Sequence, residues 1–160
     1  MAKDRFPVTS AIRALKESGI PYTLHLYDYE EKGGTSRAAR ELNVDEHQVI
    51  KTLVMEDEKR RPLVVLMHGD RQVSTKEFAR SLKVKAVRPC EPEVAHKHTG
   101  YLVGGTSPLG MKKRLNVYFE ASIKELPFIF VNAGKKGLLA RLSPQDLIKV
   151  LDATPVNVAI

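Results

Sequence analysis

The sequence predicts a mixed α/β fold in a single domain over residues 1–160. Three observations predict it. Apolar residues at helical spacing alternate along the chain with short period-two runs, so strands are separated by helices. Two of those runs, residues 49–55 and 63–67, flank the charged turn 56–61 and read as an antiparallel hairpin. No internal repeat, low-complexity stretch or Pro/Gly/Ser linker divides the chain. Helices between strands, with at least one hairpin, call for a mixed sheet of the α+β or α/β class.

The elements follow in order. Thr9 or Ser10 starts a helix through about Glu17, with Ala11, Ile12 and Leu15 on one face. Ser18, Gly19 and Pro21 end it. Residues 22–27 alternate as a strand. Thr35 or Ser36 opens a short helix to Leu42, and Asp45 opens another. After the hairpin, residues 75–82 and 91–98 read as helices, and 117–119 and 128–131 as strands. Ser143 suits an N-cap, Pro144 the first helical position and Asp146 the positive end of the dipole of a last helix.

Apolar residues make up 42% and charged residues 28%, as in a soluble globular protein. No apolar run approaches the ~20 residues needed to cross a bilayer. Residues 1–5 have no apolar segment behind them, so no secretion signal and a cytoplasmic location are expected. Cys90 is the single cysteine, which excludes an intrachain disulfide and fits a reducing compartment. Net charge is +7, from 26 Lys+Arg against 19 Asp+Glu. A polyanion such as RNA fits that balance, although many basic proteins bind none.

Three places could carry chemistry. On a strand, Val49, Lys51, Leu53 and Met55 share a face. Lys51 therefore either packs its stem and sends its head to solvent, or is kept at a pocket for an electron-rich ligand. Residues 100–110, GYLVGGTSPLG, hold four glycines in eleven positions. There Gly104 and Gly105 can aim adjacent N–H groups at one point, a nest for an oxyanion, or simply form a tight turn. Ser107 is a candidate hydroxyl contact without the flanking pattern of a nucleophile elbow. The basic runs Lys112, Lys113, Arg114 and Lys135, Lys136 read either as solvated surface or as contacts to RNA phosphates. The five histidines and one cysteine show no HExxH or paired-cysteine spacing, so no metal is expected. No Walker loop or dinucleotide fingerprint is present, and no cofactor is expected.

These pieces resemble the YbaK/EbsC family, which includes free-standing Cys-tRNA(Pro) deacylases and the editing insertion of bacterial prolyl-tRNA synthetases. The resemblance runs from about Ala11 to Leu151 and is strongest over residues 100–115, GYLVGGTSPLG with MKKRL after it. VIKTLVM around Lys51, LHLY ending at Tyr27 and AGKKGLL around Gly134 support it. It implies a mixed sheet curled towards a barrel, surrounded by helices, with a pocket for the terminal adenosine and aminoacyl ester. Onto this sequence it places catalytic roles at Lys51, Gly104 and Gly105, and substrate contacts at Tyr27, Tyr101, Thr106 and Ser107. It implies trans-editing of mischarged tRNA, Cys-tRNA(Pro) first, with aminoacyl-tRNA as substrate. A transient ternary complex with prolyl-tRNA synthetase is the expected partner arrangement, with no membrane. Ala- or Ser-charged tRNA, or a non-catalytic tRNA-binding module, are the alternatives. The sequence departs from the Cys-type pattern at Thr106 (isoleucine there), Met111 (glutamine) and Leu139 (aspartate).

Overall fold

The computed structural model describes residues 6–160. Residues 1–5, on which the expectation of no secretion signal rests, lie outside the described residues. The described chain folds into five α-helices and two sheets. The first sheet pairs β1 (Thr23–Leu26), β7 (Leu138–Leu142) and β6 (Ile129–Lys135) in that order, all antiparallel. The second runs β4 (Val87–Pro89), β2 (Ile50–Asp57), β3 (Pro62–His68), β5 (Val117–Glu120) and β8 (Thr154–Val156). There β2 lies antiparallel to β3 and β4, while β3, β5 and β8 are parallel, so the sheet is mixed as expected. The sheets meet where β6 comes beside β2, at the bridge between Val49 and Phe130. They curl around the core without closing into a barrel.

Local chemistry explains the helices. In α1 (Ser10–Ser18) the Thr9 hydroxyl accepts from the Ile12 N–H at 3.0 Å and donates to the Ala133 carbonyl at 2.6 Å. One residue thus caps the helix and pins it to β6. Gly19, at φ 74°, ends it in the left-handed region. The helix α2 (Gly34–Leu42) follows Gly33, and Asp45 caps a short 3₁₀ turn rather than an α-helix. Ser74 caps α3 (Thr75–Leu82), and Pro92 opens α4 (Pro92–Thr99). Ser143 caps α5 (Pro144–Leu151), with Pro144 in its first turn as its sequence predicts.

The five-stranded sheet separates two apolar clusters. Ile50, Val64 and Leu66 face α1, β6 and β7, among Leu15, Leu109, Val131 and Leu138. Met55, Val65 and Met67 face α3 and its Phe78. Side-chain alternation along β2 and β3 produces this division. Three strands escape the sequence reading. β4 and β8 have three residues each and carry Pro89 and Pro155, which suit edge strands and hide the pattern. β7 follows Gly137 so closely that its five residues read as part of a glycine turn.

Candidate active site

A gap in strand pairing creates the site. β2 pairs with β3 from Ile50 to Glu56, but with β4 only over Met55, Glu56 and Asp57. Before that, the last backbone contact on the β4 side is the Val54 carbonyl, which accepts from the Cys90 N–H at 3.0 Å. The edge of β2 left uncovered there forms one wall of a cavity of about 580 Å³. Gly104 and Thr106 of the glycine bend line the same cavity, as do Tyr27 and Tyr29. Lys51 and Gly104 therefore line the same cavity.

Lys51 is half-buried, and its Nζ donates to the Arg71 carbonyl. Burial pulls its pKa below the usual lysine value, against the opposing pull of Glu46 and Asp70. Tyr27 is half-buried as well. Burial and the neighbouring Tyr29 raise its pKa, while Arg37 opposes them. Cys90 lines the cavity, but its thiol donates to Glu56 Oε1 at 3.6 Å. Burial and that carboxylate push its pKa to about 11, so it is a neutral thiol and a poor nucleophile at neutral pH.

The glycine bend is held from within. Gly104 has φ 92°, and a Cβ there would lie 2.5 Å from Tyr29 Oη, so only glycine fits. Gly105 packs on the backbone of Lys135 and Lys136, and its N–H donates to the Leu102 carbonyl at 2.8 Å. The paired-amide nest expected from Gly104 and Gly105 thus has one of its two N–H groups already engaged. Tyr101 is buried, its hydroxyl donates to the Leu109 carbonyl, and burial raises its pKa to about 12. Ser107 is fully buried and accepts from the Leu109 N–H at 3.2 Å. Gly105, Tyr101 and Ser107 therefore shape the bend from behind, while Gly104 and Thr106 reach the cavity.

Sequence reasoning misses Asn132. Its Nδ2 donates to the Gly104 carbonyl at 3.2 Å, and its Oδ1 accepts from the Gly134 and Lys135 N–H groups at 2.7 and 3.1 Å. One side chain ties the bend to the β6–β7 turn. The Asn-Ala-Gly triplet is a legible signal, because asparagine bonds its own backbone two residues on. Leu102 and Val103 also escape the sequence reading, and they stand 65% and 59% exposed at the bend.

The basic residues divide. Lys112, Lys113, Arg114 and Lys135 are exposed, with Lys113 Nζ 3.3 Å from His98 Nδ1. Lys136 instead pairs with Glu31 at 2.8 Å and lies over the Tyr29 ring at 5.3 Å. It steadies the wall of the cavity near Gly104.

Among the described residues lining the cavity there is no histidine, and its one cysteine is neutral. The cavity wall thus offers neither an imidazole base nor an ionised thiol. Among the described residues no helix is long and apolar enough to cross a membrane.

Residues 30–150 match the model of the aminoacyl-tRNA editing domain. The chain is 28% identical over 143 residues to EbsC of Enterococcus faecalis, a proposed Cys-tRNA(Pro)/Cys-tRNA(Cys) deacylase, covering 89% of this chain and 87% of EbsC. It is 25% identical to a proline–tRNA ligase of Brachyspira hyodysenteriae over 58% of this chain and 16% of that enzyme. A crystal structure of a proposed trans-editing enzyme for prolyl tRNA synthetase shares the fold, with TM-score 0.83 and 22% identity over 97% of this chain and 99% of that one.

Proposed function

The chain belongs to the aminoacyl-tRNA editing domain family, and from that premise we propose that it clears Cys-tRNA(Pro) by cleaving the aminoacyl ester in trans. The observation that carries this reading is the cavity lined by both Lys51 and Gly104. The similarity to EbsC over most of both chains supports cysteine as the amino acid removed.

The chemistry asks little of the protein. The resemblance to Cys-specific members of the family implies a substrate-assisted step, in which the thiol of the bound cysteine attacks its own ester carbonyl, and a cavity wall without histidine or ionised thiol fits it. The carbon–oxygen bond to the ribose breaks, the ribose oxygen takes the proton, and a cyclic thioester leaves. The protein holds thiol and carbonyl together and stabilises the oxyanion. Gly104 and its neighbours supply backbone donors, Lys51 contacts the ester or terminal ribose, and Tyr27 shapes the pocket. For Lys51 to do so, its ammonium exchanges the Arg71 carbonyl for the substrate. Lys112, Lys113, Arg114 and Lys135 meet phosphates.

One observation favours a second substrate. Leu139 is 4% exposed and lines the cavity where the Cys-type pattern has an acid. An apolar residue there suits alanine, with an activated water replacing the thiol. A panel of Cys-, Ala-, Ser- and Pro-charged tRNAs tests both readings. Release of cysteine with Pro-tRNA spared supports the first. Release of alanine alone establishes the second, and no release above the spontaneous rate refutes both.

Tight discrimination cannot come from the pocket alone, since a methylene or thiol contributes about 1–3 kcal/mol. A transient complex with prolyl-tRNA synthetase in the cytoplasm supplies the remainder. The likeness to part of a proline–tRNA ligase supports it. A gel-shift titration at low salt that finds no complex of chain, synthetase and tRNA would overturn it.

A further inference from the structure

Among the described residues, the one buried side-chain oxygen or nitrogen without a hydrogen-bond partner is Thr52 Oγ1. Buried polar atoms are nearly always paired, so this one calls for an explanation. Thr52 follows Lys51 on β2 and lines the same cavity. Its neighbours on its face, Ile50 and Val54, belong to the cluster that contains Tyr101, Leu109, Val131 and Ala133. That cluster is the ground on which the glycine bend and the β6–β7 turn are built. Lys51 lies on the other face with Leu53 and Met55, and its ammonium is turned to the Arg71 carbonyl. Thr52 is therefore the polar β2 side chain on the face of that cluster, it lines the cavity together with Lys51 and Gly104, and its hydroxyl is left without a partner.

We propose that the Thr52 hydroxyl hydrogen-bonds the aminoacyl ester of the bound substrate, on the part common to all amino acids. The inference rests on the deacylase reading above. Isolation of Thr52 Oγ1 in the free protein is then the counterpart of a bond made in the complex. Either role of a hydroxyl, donating to the ester carbonyl or accepting from the α-ammonium, serves this contact. Cys90 and Ala95 line the same cavity.

The test compares Thr52→Val, which keeps the shape and removes the hydroxyl, with the wild type and with Thr52→Ser. The readouts are thermal stability of the free protein and kcat/KM on each charged tRNA that the wild type cleaves. In the free protein, Thr52→Val is expected to melt no lower than the wild type, because an unpaired buried hydroxyl is removed. Its kcat/KM is expected to fall about tenfold by the same factor on every substrate cleaved, as for one lost hydrogen bond. Thr52→Ser restores a large part of that loss. A destabilised Thr52→Val overturns the proposal, because the hydroxyl then has a partner without substrate. An undiminished kcat/KM overturns it too, as does a loss confined to one amino acid. A wild type that cleaves no charged tRNA removes the deacylase reading and this inference together. A wild type that cleaves them while Thr52→Val matches it removes the inference alone.

Discussion

Two polar regions flank Lys51, and they are built on opposite terms. Behind it, at the end of β3, the imidazoles of His47 and His68 stack 3.6 Å apart, at 6° between planes. His47 Nδ1 bonds Asp70 at 2.8 Å, His68 Nδ1 bonds the His47 carbonyl at 2.8 Å, and His68 Nε2 bonds Ser122 Oγ at 2.7 Å. His68 is 1% exposed with both ring nitrogens satisfied. In front, the cavity holds a hydroxyl without a partner, a lysine resting on a backbone carbonyl and a thiol held neutral. The closed network is a cluster of ionisable groups, yet its satisfaction marks it as architecture. Function is placed where groups wait for partners, not where titratable residues are densest.

The contrast yields graded expectations. Lys51→Ala should lower deacylation on the order of 100-fold, as for loss of one preorganised donor, with little change in melting temperature. Single-turnover kinetics beside a thermal scan check it, and full activity would move the site away from Lys51. Gly104→Ala comes next, because it forces a positive φ on a side chain against Tyr29. It should cost about 1 kcal/mol or more of stability and reduce activity about tenfold. Changing Lys112, Lys113 and Arg114 to alanine should weaken tRNA binding and lower the salt slope of log K by about one unit for each phosphate no longer neutralised. A salt titration of binding with an unchanged slope would return the run to plain surface.

The architectural side answers to pH instead. Burial holds the His68 pKa below its ordinary value, against the bond to the His47 carbonyl. With its folded pKa below the unfolded one, His68 contributes stability in full above about pH 6.5, and that stability is lost as pH falls below it. Melting temperature should drop between about pH 7.5 and pH 5, and by less in His68→Gln. The smallest effect concerns Cys90. Iodoacetamide at about pH 8 should modify it at least about tenfold more slowly than free cysteine, because the thiolate is suppressed.

Local rules wrote much of this molecule legibly. Thr9 and Ser143 announce the starts of α1 and α5, and the β2–β3 hairpin shows in alternation. The parallel pairing of β3 with β5, and of β5 with β8, is not legible, because parallel neighbours are distant in sequence and leave no local pattern. At the site, alternation puts Lys51 and Thr52 on opposite faces, but only packing reveals that both line the cavity with Gly104. The same limit hides the bond from Asn132 to Gly104, 28 residues away, although the local turn of Asn132 is legible. It also conceals that Tyr101 and Ser107 turn inward, since a hydroxyl in a glycine-rich loop reads as a ligand contact until its backbone partner is seen.

The most direct measurement is a crystal structure of the protein with a non-hydrolysable analogue, the 3′-amide of cysteine on adenosine. The amide is expected between β2 and the glycine bend, within hydrogen-bonding reach of Thr52 Oγ1, with the lysine ammonium turned from Arg71 towards it. An analogue bound outside that cavity, or one that leaves Thr52 without a partner, would contradict this placement of the site.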